Sequence, residues 1–219
     1  MDIFLDTAHI PSIKKQIATG LINGVTTNPS LLSKEGPDPK AIIKEICSLL
    51  PHGDISVEVT ETQPDNAFKQ ALQLAKIADN VVVKVPCHSQ YYPIIHKLVH
   101  EGIKINVTLV FTLMQGLMMS KLGVKYISPF VGRWDDIDVD GIVLLDELRR
   151  MIDEYGYNTK ILAASIRNVR HFHQAIVAGS DVITLPIEVF EKSMDHMLTD
   201  QGIAKFNADW QKLGIKIFP

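Results

Sequence analysis

A chain of 219 residues, 46% of them hydrophobic and 21% charged, can build a full apolar core and needs no disulfide framework, which Cys47 and Cys87 alone could not supply. Its 22 basic and 25 acidic residues leave a net charge of −3, which gives no general attraction to nucleic acid. No apolar stretch approaches a membrane span and the opening MDIFLD is unlike a secretory signal. The expectation is a soluble, cytoplasmic protein with no membrane partner, its cysteines acting as small hydrophobes in a reducing compartment.

The first short apolar run is DIFLD (2–6), followed by INGVTTN (22–28), ISVEVT (55–60), VVVKVP (81–86), KINVTLV (104–110), YISPF (126–130), KILAAS (160–165) and VITLP (182–186). Each run precedes a stretch of helical spacing. Asp38 before Pro39 predicts a capped helix through AIIKEICSLL, and residues 64–79 place Phe68, Leu72 and Ala75 on one stripe. Thr112 and Asn168 are further caps, and Gly123 and Gly179 sit at helix stops.

Strands separated by helices run parallel. Eight strand-helix repeats without a linker predict an α/β fold, a single-domain (β/α)8 TIM barrel with a C-terminal extra helix; a doubly wound sheet more often stops at five or six strands. The domain spans 1–219, with the barrel over about 1–198 and the extra helix over about 201–213. That helix carries Ile203, Phe206, Trp210 and Leu213 on one face, which either covers its own barrel or meets a neighbouring subunit.

Alternation within the strands separates a polar set from an apolar one. Asp2 and Asp6 oppose Ile3 and Leu5; Ser56, Glu58 and Thr60 oppose Ile55, Val57 and Val59; Lys84 opposes Val81, Val83 and Val85. Asn106 and Thr108 oppose Ile105, Val107 and Leu109, Thr26 shares a face with Asn28, and Ser128 shares one with Phe130. Strands of an open sheet covered by helices are apolar on both faces, whereas in a barrel the polar set points inward and converges near the carboxyl ends.

Lys84 is the most informative residue, because an ammonium in a Val-rich strand is costly unless it is paired or functional. Burial disfavours the charged form of an amine, and a neutral amine can attack a carbonyl to form a Schiff base. The competing reading is a lysine snorkelling from a strand end or pairing structurally with Glu58 or Asp6. Those two carboxylates, at different strand ends, suit either proton transfer or loop capping. Arg133, Ser165 and Arg167 could cradle a phosphate, or the arginines could be ordinary surface cations.

The segments GVTTNPS (24–30), VVVKVP (81–86), NVTLVF (106–111), SPFVGR (128–133) and LAASIRN (162–168), collinear and in this order, resemble the transaldolase family, specifically its short group that includes fructose-6-phosphate aldolase. The resemblance implies class I aldol chemistry on sugar phosphates with no cofactor and no metal. Lys84 is then the Schiff-base lysine, Asp6 the acid and base at the C4 hydroxyl, and Glu58 the proton carrier through a water shared with Thr108. Asn28, Asn106 and Ser128, supported by Thr26, match positions that orient the dihydroxyacetone unit, and Arg133, Ser165 and Arg167 match the phosphate-binding positions. Glu58 and Phe130 stand where the aldolase pattern has Gln and Tyr, so transfer of the three-carbon unit to an aldose phosphate is expected, with free dihydroxyacetone release as the alternative. The resemblance also implies a homo-oligomer, a pentamer or paired decamer, with the terminal helix on a neighbour. Two departures, CHSQYYPIIHKL after Pro86 and Trp134 in place of an aliphatic residue, lie beside the expected site.

Other chemistries lack their motifs. His96 and His100 have helical i, i+4 spacing, but HKLVH carries no metalloprotease glutamate, and His171 and His173 cannot face one another on a helix. There is no Gly-x-Ser-x-Gly elbow and no Gly-x-Gly-x-x-Gly after the first strand. A barrel that binds sugar phosphate without catalysis is set against the joint presence of Lys84, Asp6 and Glu58.

Overall fold

Residues 1–214 are described by the structure, a computed structural model; the end of the expected 1–219 domain lies outside them. The strands are β1 (Asp2–Asp6), β2 (Gly24–Thr26), β3 (Asp54–Glu58), β4 (Val81–Pro86), β5 (Ile105–Val110), β6 (Tyr126–Pro129), β7 (Lys160–Ala163) and β8 (Val182–Leu185). Each pairs in parallel with the next and β8 pairs with β1, so the sheet closes into a (β/α)8 barrel.

The helices are α1 (Ile10–Ile17), α2 (Pro29–Leu32), α3 (Pro39–Leu49), α4 (Pro64–Ala75), α5 (Tyr92–His100), α6 (Leu113–Lys121), α7 (Val131–Asp135), α8 (Ile142–Tyr155), α9 (Val169–Val177), α10 (Ile187–Met194) and α11 (Met197–Gln211). Local chemistry starts several of them. The Asp38 carboxylate accepts from Ala41 N–H ahead of Pro39, and the Asn168 amide oxygen accepts from His171 N–H. Thr112 and Gln115 close a reciprocal capping box at α6. The helix expected over 64–79 stops at Ala75.

Alternation sorts the strand residues into two layers. Outward side chains such as Leu5, Val57, Val83 and Ile183 form the large core under the helices, while Phe4, Val82, Tyr126, Leu162, Ala164 and Val182 fill the barrel interior. At the amino-terminal end Phe4 meets Tyr126 edge to face, with centroids 6.1 Å apart, and Tyr126 donates to Asp54 at 2.6 Å. A Cβ on Gly24 would come within 2.6 Å of the Phe4 ring and 2.5 Å of the Asp54 carbonyl oxygen, so the floor closes only over glycine.

One strand departs from the expected alternation. The β5–β6 register shifts between Val107 and Val110, and Leu109 has a left-handed φ of 58°. The bulge lets Val110 take the buried outward position and leaves Leu109 partly exposed at the carboxyl mouth, so Leu109 does not continue the row of Ile105 and Val107.

Helix α11 begins at Met197, earlier than its pattern suggests, and buries none of its residues. Phe206 is 73% exposed and Ile203 54%, so the barrel of the same chain does not cover these two residues of the stripe. Among the described residues no helix is long and apolar enough to cross a membrane.

Candidate active site

Lys84 lies inside the barrel on β4, at the same level as Glu58 on β3 and Asn106 on β5. Only 5% of the residue is exposed. Its Nζ donates to the Thr27 carbonyl at 3.1 Å and lies 3.1 Å from Glu58 Oε2, so the partners of the buried ammonium come from the residue that follows β2 and from the neighbouring strand β3. A carboxylate this close offsets the desolvation of the amine and is also the nearest group able to take its proton.

Asp6 ends β1 and accepts a hydrogen bond from Thr26 Oγ1 at 2.8 Å. Thr26 Oγ1 in turn lies 2.6 Å from Thr184 Oγ1 on β8. Burial pushes the Asp6 carboxyl above its ordinary value, against the opposing attraction of Lys84 and the bond from Thr26. A carboxyl raised in this way is a stronger proton acceptor, once ionised, than an ordinary carboxylate.

A second chain crosses the opposite wall. Ser128 donates to the Asn106 amide oxygen at 2.7 Å, and Asn106 donates to Ser56 at 3.1 Å. Asn28 spends its amide oxygen on Leu31 N–H at 2.9 Å as the cap of α2, which fixes the side chain and leaves its amide N–H groups for a ligand. The buried Thr108 hydroxyl makes no hydrogen bond to the protein, so its bonding capacity is open to a water or substrate in the cavity.

Two arginines flank the outer end of the site. Arg167 makes a two-point pair with Asp136, its Nη2 at 2.6 Å from Oδ2, and this bonding holds the Asp136 carboxyl below its usual range. Arg133 stands over the Phe130 ring at 5.5 Å from its centroid. Gly132 N–H donates to the Ser165 carbonyl at 3.0 Å, and a Cβ on Gly132 would approach that oxygen to 2.4 Å and Arg167 Nε to 2.7 Å. Ser165 itself adopts a left-handed φ of 58°. Buried His171 reaches Asp135 with Nε2 at 2.7 Å, so consecutive aspartates at the end of α7 hold the segment that carries Ser165 and Arg167.

Asp6, Thr26, Asn28, Lys84, Asn106, Thr108, Ser128, Phe130, Arg133, Ser165 and Arg167 line a single cavity of about 280 Å³ at the carboxyl mouth. Glu58 is outside that lining and is joined to it by its ion pair with Lys84; it also borders a separate, largely apolar cavity beside α3 and α4. Thr184, Leu162 and Ala164 complete the lining and were not singled out in the sequence, although Thr184 interrupts the apolar run VITLP. A larger hollow of about 440 Å³ lies at the amino-terminal face, where Lys125 pairs with Asp54 at 2.5 Å. Lys84, Asp6, Arg133 and Arg167 do not border it.

His96 and His100 form an exposed pair on α5 with their Nε2 atoms 2.9 Å apart. Residues 136–147 match the calcium-loop pattern D-x-D-x-D-G-x5-E, yet Asp136 is committed to Arg167 and Asp140 to Ile142 N–H. Among the described residues no group of three or more His, Cys, Asp or Glu is arranged to hold a metal ion.

The architecture and the converging polar groups are those of a (β/α)8 barrel with its site at the carboxyl mouth, the end at which such barrels place their chemistry. Residues 3–217 match the family model described as Transaldolase/Fructose-6-phosphate aldolase, and the chain belongs to that family. It is 46% identical over 214 residues to a "Probable transaldolase" of Dehalococcoides mccartyi, covering 97% of this chain and 99% of the relative. It is 47% identical over 213 residues to a "Probable transaldolase" of Leptospira biflexa, with 97% and 99% covered. Similarity to a thiamine phosphate pyrophosphorylase structure from Pyrococcus furiosus (TM-score 0.61, 15% identity, 88% of this chain and 93% of that one) and to a 3-hexulose-6-phosphate synthase structure (TM-score 0.62, 12% identity, 85% and 90%) extends to the fold alone. Membership of the family carries a transaldolase- or aldolase-type enzymatic function.

Proposed function

We propose that the protein is a cytoplasmic transaldolase of the non-oxidative pentose phosphate pathway, a homo-oligomer needing neither metal nor cofactor. It moves a dihydroxyacetone unit from fructose 6-phosphate or sedoheptulose 7-phosphate to erythrose 4-phosphate or glyceraldehyde 3-phosphate. The observation that carries the reading is Lys84, an amine buried inside the barrel against a carboxylate and bordering the same cavity as Asp6, Arg133 and Arg167.

Lys84 Nζ, after passing a proton to Glu58, attacks the ketose C2 carbonyl. Glu58, through a water bound by Thr108, protonates the carbinolamine hydroxyl, which leaves as water to give the protonated imine. Asp6 removes the proton from the C4 hydroxyl; the C3–C4 bond breaks, its electrons pass into the imine, and the aldose phosphate departs. The enamine then attacks the acceptor aldehyde while Asp6 returns its proton to the new hydroxyl, and hydrolysis frees Lys84. Asn28, Asn106 and Ser128 orient the three-carbon unit, Thr26 holds Asp6, and Ser165 with the two arginines binds phosphate. Phe130 offers no hydroxyl to hold a water near the enamine carbon, which favours transfer over protonation. The exposed Ile203 and Phe206 on α11 support seating that helix on a neighbouring copy, in a pentamer or decamer.

The test is glyceraldehyde 3-phosphate release from fructose 6-phosphate with and without erythrose 4-phosphate, together with borohydride trapping of the substrate on Lys84. Release that needs the acceptor supports the transaldolase; acceptor-independent release makes the protein a fructose-6-phosphate aldolase.

A further inference from the structure

We propose that Thr184 is a positioning residue for Asp6, acting through Thr26 by completing a three-group hydrogen-bond chain across β8, β1 and β2. For its catalytic consequence, the inference rests on the proposed role of Asp6 in proton transfer.

The register shows why the three groups meet. Thr184 pairs with Phe4 and Thr26 pairs with Asp6, so the two threonines reach toward one another across the inner face of β1, between its floor residue and its terminal carboxylate. Their Oγ1 atoms are 2.6 Å apart, and Thr26 Oγ1 is 2.8 Å from Asp6 Oδ1. A hydroxyl has one proton to give. When Asp6 is a carboxylate it can only accept, so the single Thr26 proton goes to Asp6. The contact between the threonines is then closed by Thr184 donating. When Asp6 gains a proton the chain can reverse, with Asp6 donating to Thr26 and Thr26 donating to Thr184. Thr184 thus gives Thr26 a partner in both states, and in the charged state it polarises the bond that stabilises the carboxylate.

Packing alone does not require this residue. Thr184 is 3% exposed, and valine has almost the same shape without the hydroxyl. The charged groups around Asp6 are Lys84 from β4, with Glu58 from β3 behind it, and Arg133 and Arg167 at the outer end of the cavity. Replacing Thr184 by valine alters none of them.

The test measures the Asp6 carboxyl by carbon-13 NMR titration in the full-length protein, in Thr184→Val and in Thr184→Ser, with Asp6→Asn to assign the resonance, alongside the pH profile of cleavage. In Thr184→Val the Asp6 titration and the acid limb of kcat move together to higher pH. Neutral-pH kcat falls by about 3- to 10-fold, the scale of one hydrogen bond, with KM little changed. Thr184→Ser recovers both readouts. An unmoved titration in Thr184→Val, or a shift that Thr184→Ser leaves in place, overturns the proposal. A titration that moves as expected while Asp6→Asn remains active supports the positioning role and refutes the general-base reading of Asp6.

Discussion

Glu58 and Lys84 face each other at one level of adjacent strands, with 3.1 Å between carboxylate and amine, and each is the other's principal compensation for leaving water. On the proposed mechanism Lys84→Met is expected to remove borohydride trapping and activity, and it leaves Glu58 without its partner. We expect a stability loss of about 1–3 kcal/mol by urea denaturation. The double variant Lys84→Met, Glu58→Gln should recover most of that loss and none of the activity. Equal stability of the single and double variants would show that the pair is not energetically coupled.

Asp6 has the opposite relation to stability. Its folded-state carboxyl lies above the ordinary value of 3.8, so the folded protein holds that proton more tightly than the unfolded chain. The resulting stabilisation is complete below the ordinary value and is lost as pH rises through the raised one. Above the ordinary value, and so at neutral pH, the buried carboxyl is a net cost to folding. Asp6→Asn is expected to raise the melting temperature at pH 7, by about 2–4 °C for each kcal/mol relieved, with the gain shrinking toward pH 4. The same variant should lower carbon-carbon cleavage by roughly 10²- to 10⁴-fold. Calorimetry across pH checks the first outcome, since a pH-independent difference would contradict the linkage.

The barrel was legible because the strand alternation is strong: Lys84, Asn106 and Ser128 stand out as polar residues on otherwise Val- and Ile-rich runs, and the structure directs them inward. Leu109 broke that rule because a bulge is a backbone event with no fixed residue signature, and its left-handed φ falls on an ordinary leucine. Thr184 escaped notice because one threonine in a strand is common; its importance lies in Thr26 and Asp6, which are distant in sequence and meet only when β8 closes on β1. The engagement of Arg167 by Asp136 depends equally on two loops at the barrel mouth, which no local periodicity relates. The exposure of Phe206 and Ile203 on α11 was not legible either, since an apolar stripe has the same spacing whether or not its own barrel covers it.

Gly132 packs against Ser165 and Arg167, to which the proposed function assigns the substrate phosphate, with no room for a side chain. Because an added Cβ would meet both the Ser165 carbonyl oxygen and the Arg167 side chain, Gly132→Ala must displace the segment bearing both phosphate candidates. The expected result is a rise in KM for fructose 6-phosphate of about tenfold or more, with borohydride trapping of unphosphorylated dihydroxyacetone on Lys84 preserved. Local overpacking should also cost roughly 1–3 kcal/mol. Equal losses with phosphorylated and unphosphorylated ligands would indicate general damage to the barrel rather than to a phosphate site.

Phe130 borders the cavity with its ring edge-on to Phe111, centroids 6.0 Å apart, and beneath the Arg133 guanidinium. Phe130→Tyr keeps the ring and these contacts and adds one hydroxyl at its tip. If that hydroxyl orders a water against the enamine carbon, protonation competes with capture by the acceptor, and free dihydroxyacetone accumulates from fructose 6-phosphate alone. We expect a rise of about tenfold in acceptor-independent release, with a fall in transfer to erythrose 4-phosphate measured on the same preparation. Imine trapping on Lys84 should be unchanged, because the substitution acts after the lysine has reacted. A variant that loses transfer without gaining dihydroxyacetone release would assign Phe130 to packing and acceptor binding, not to the partition of the enamine.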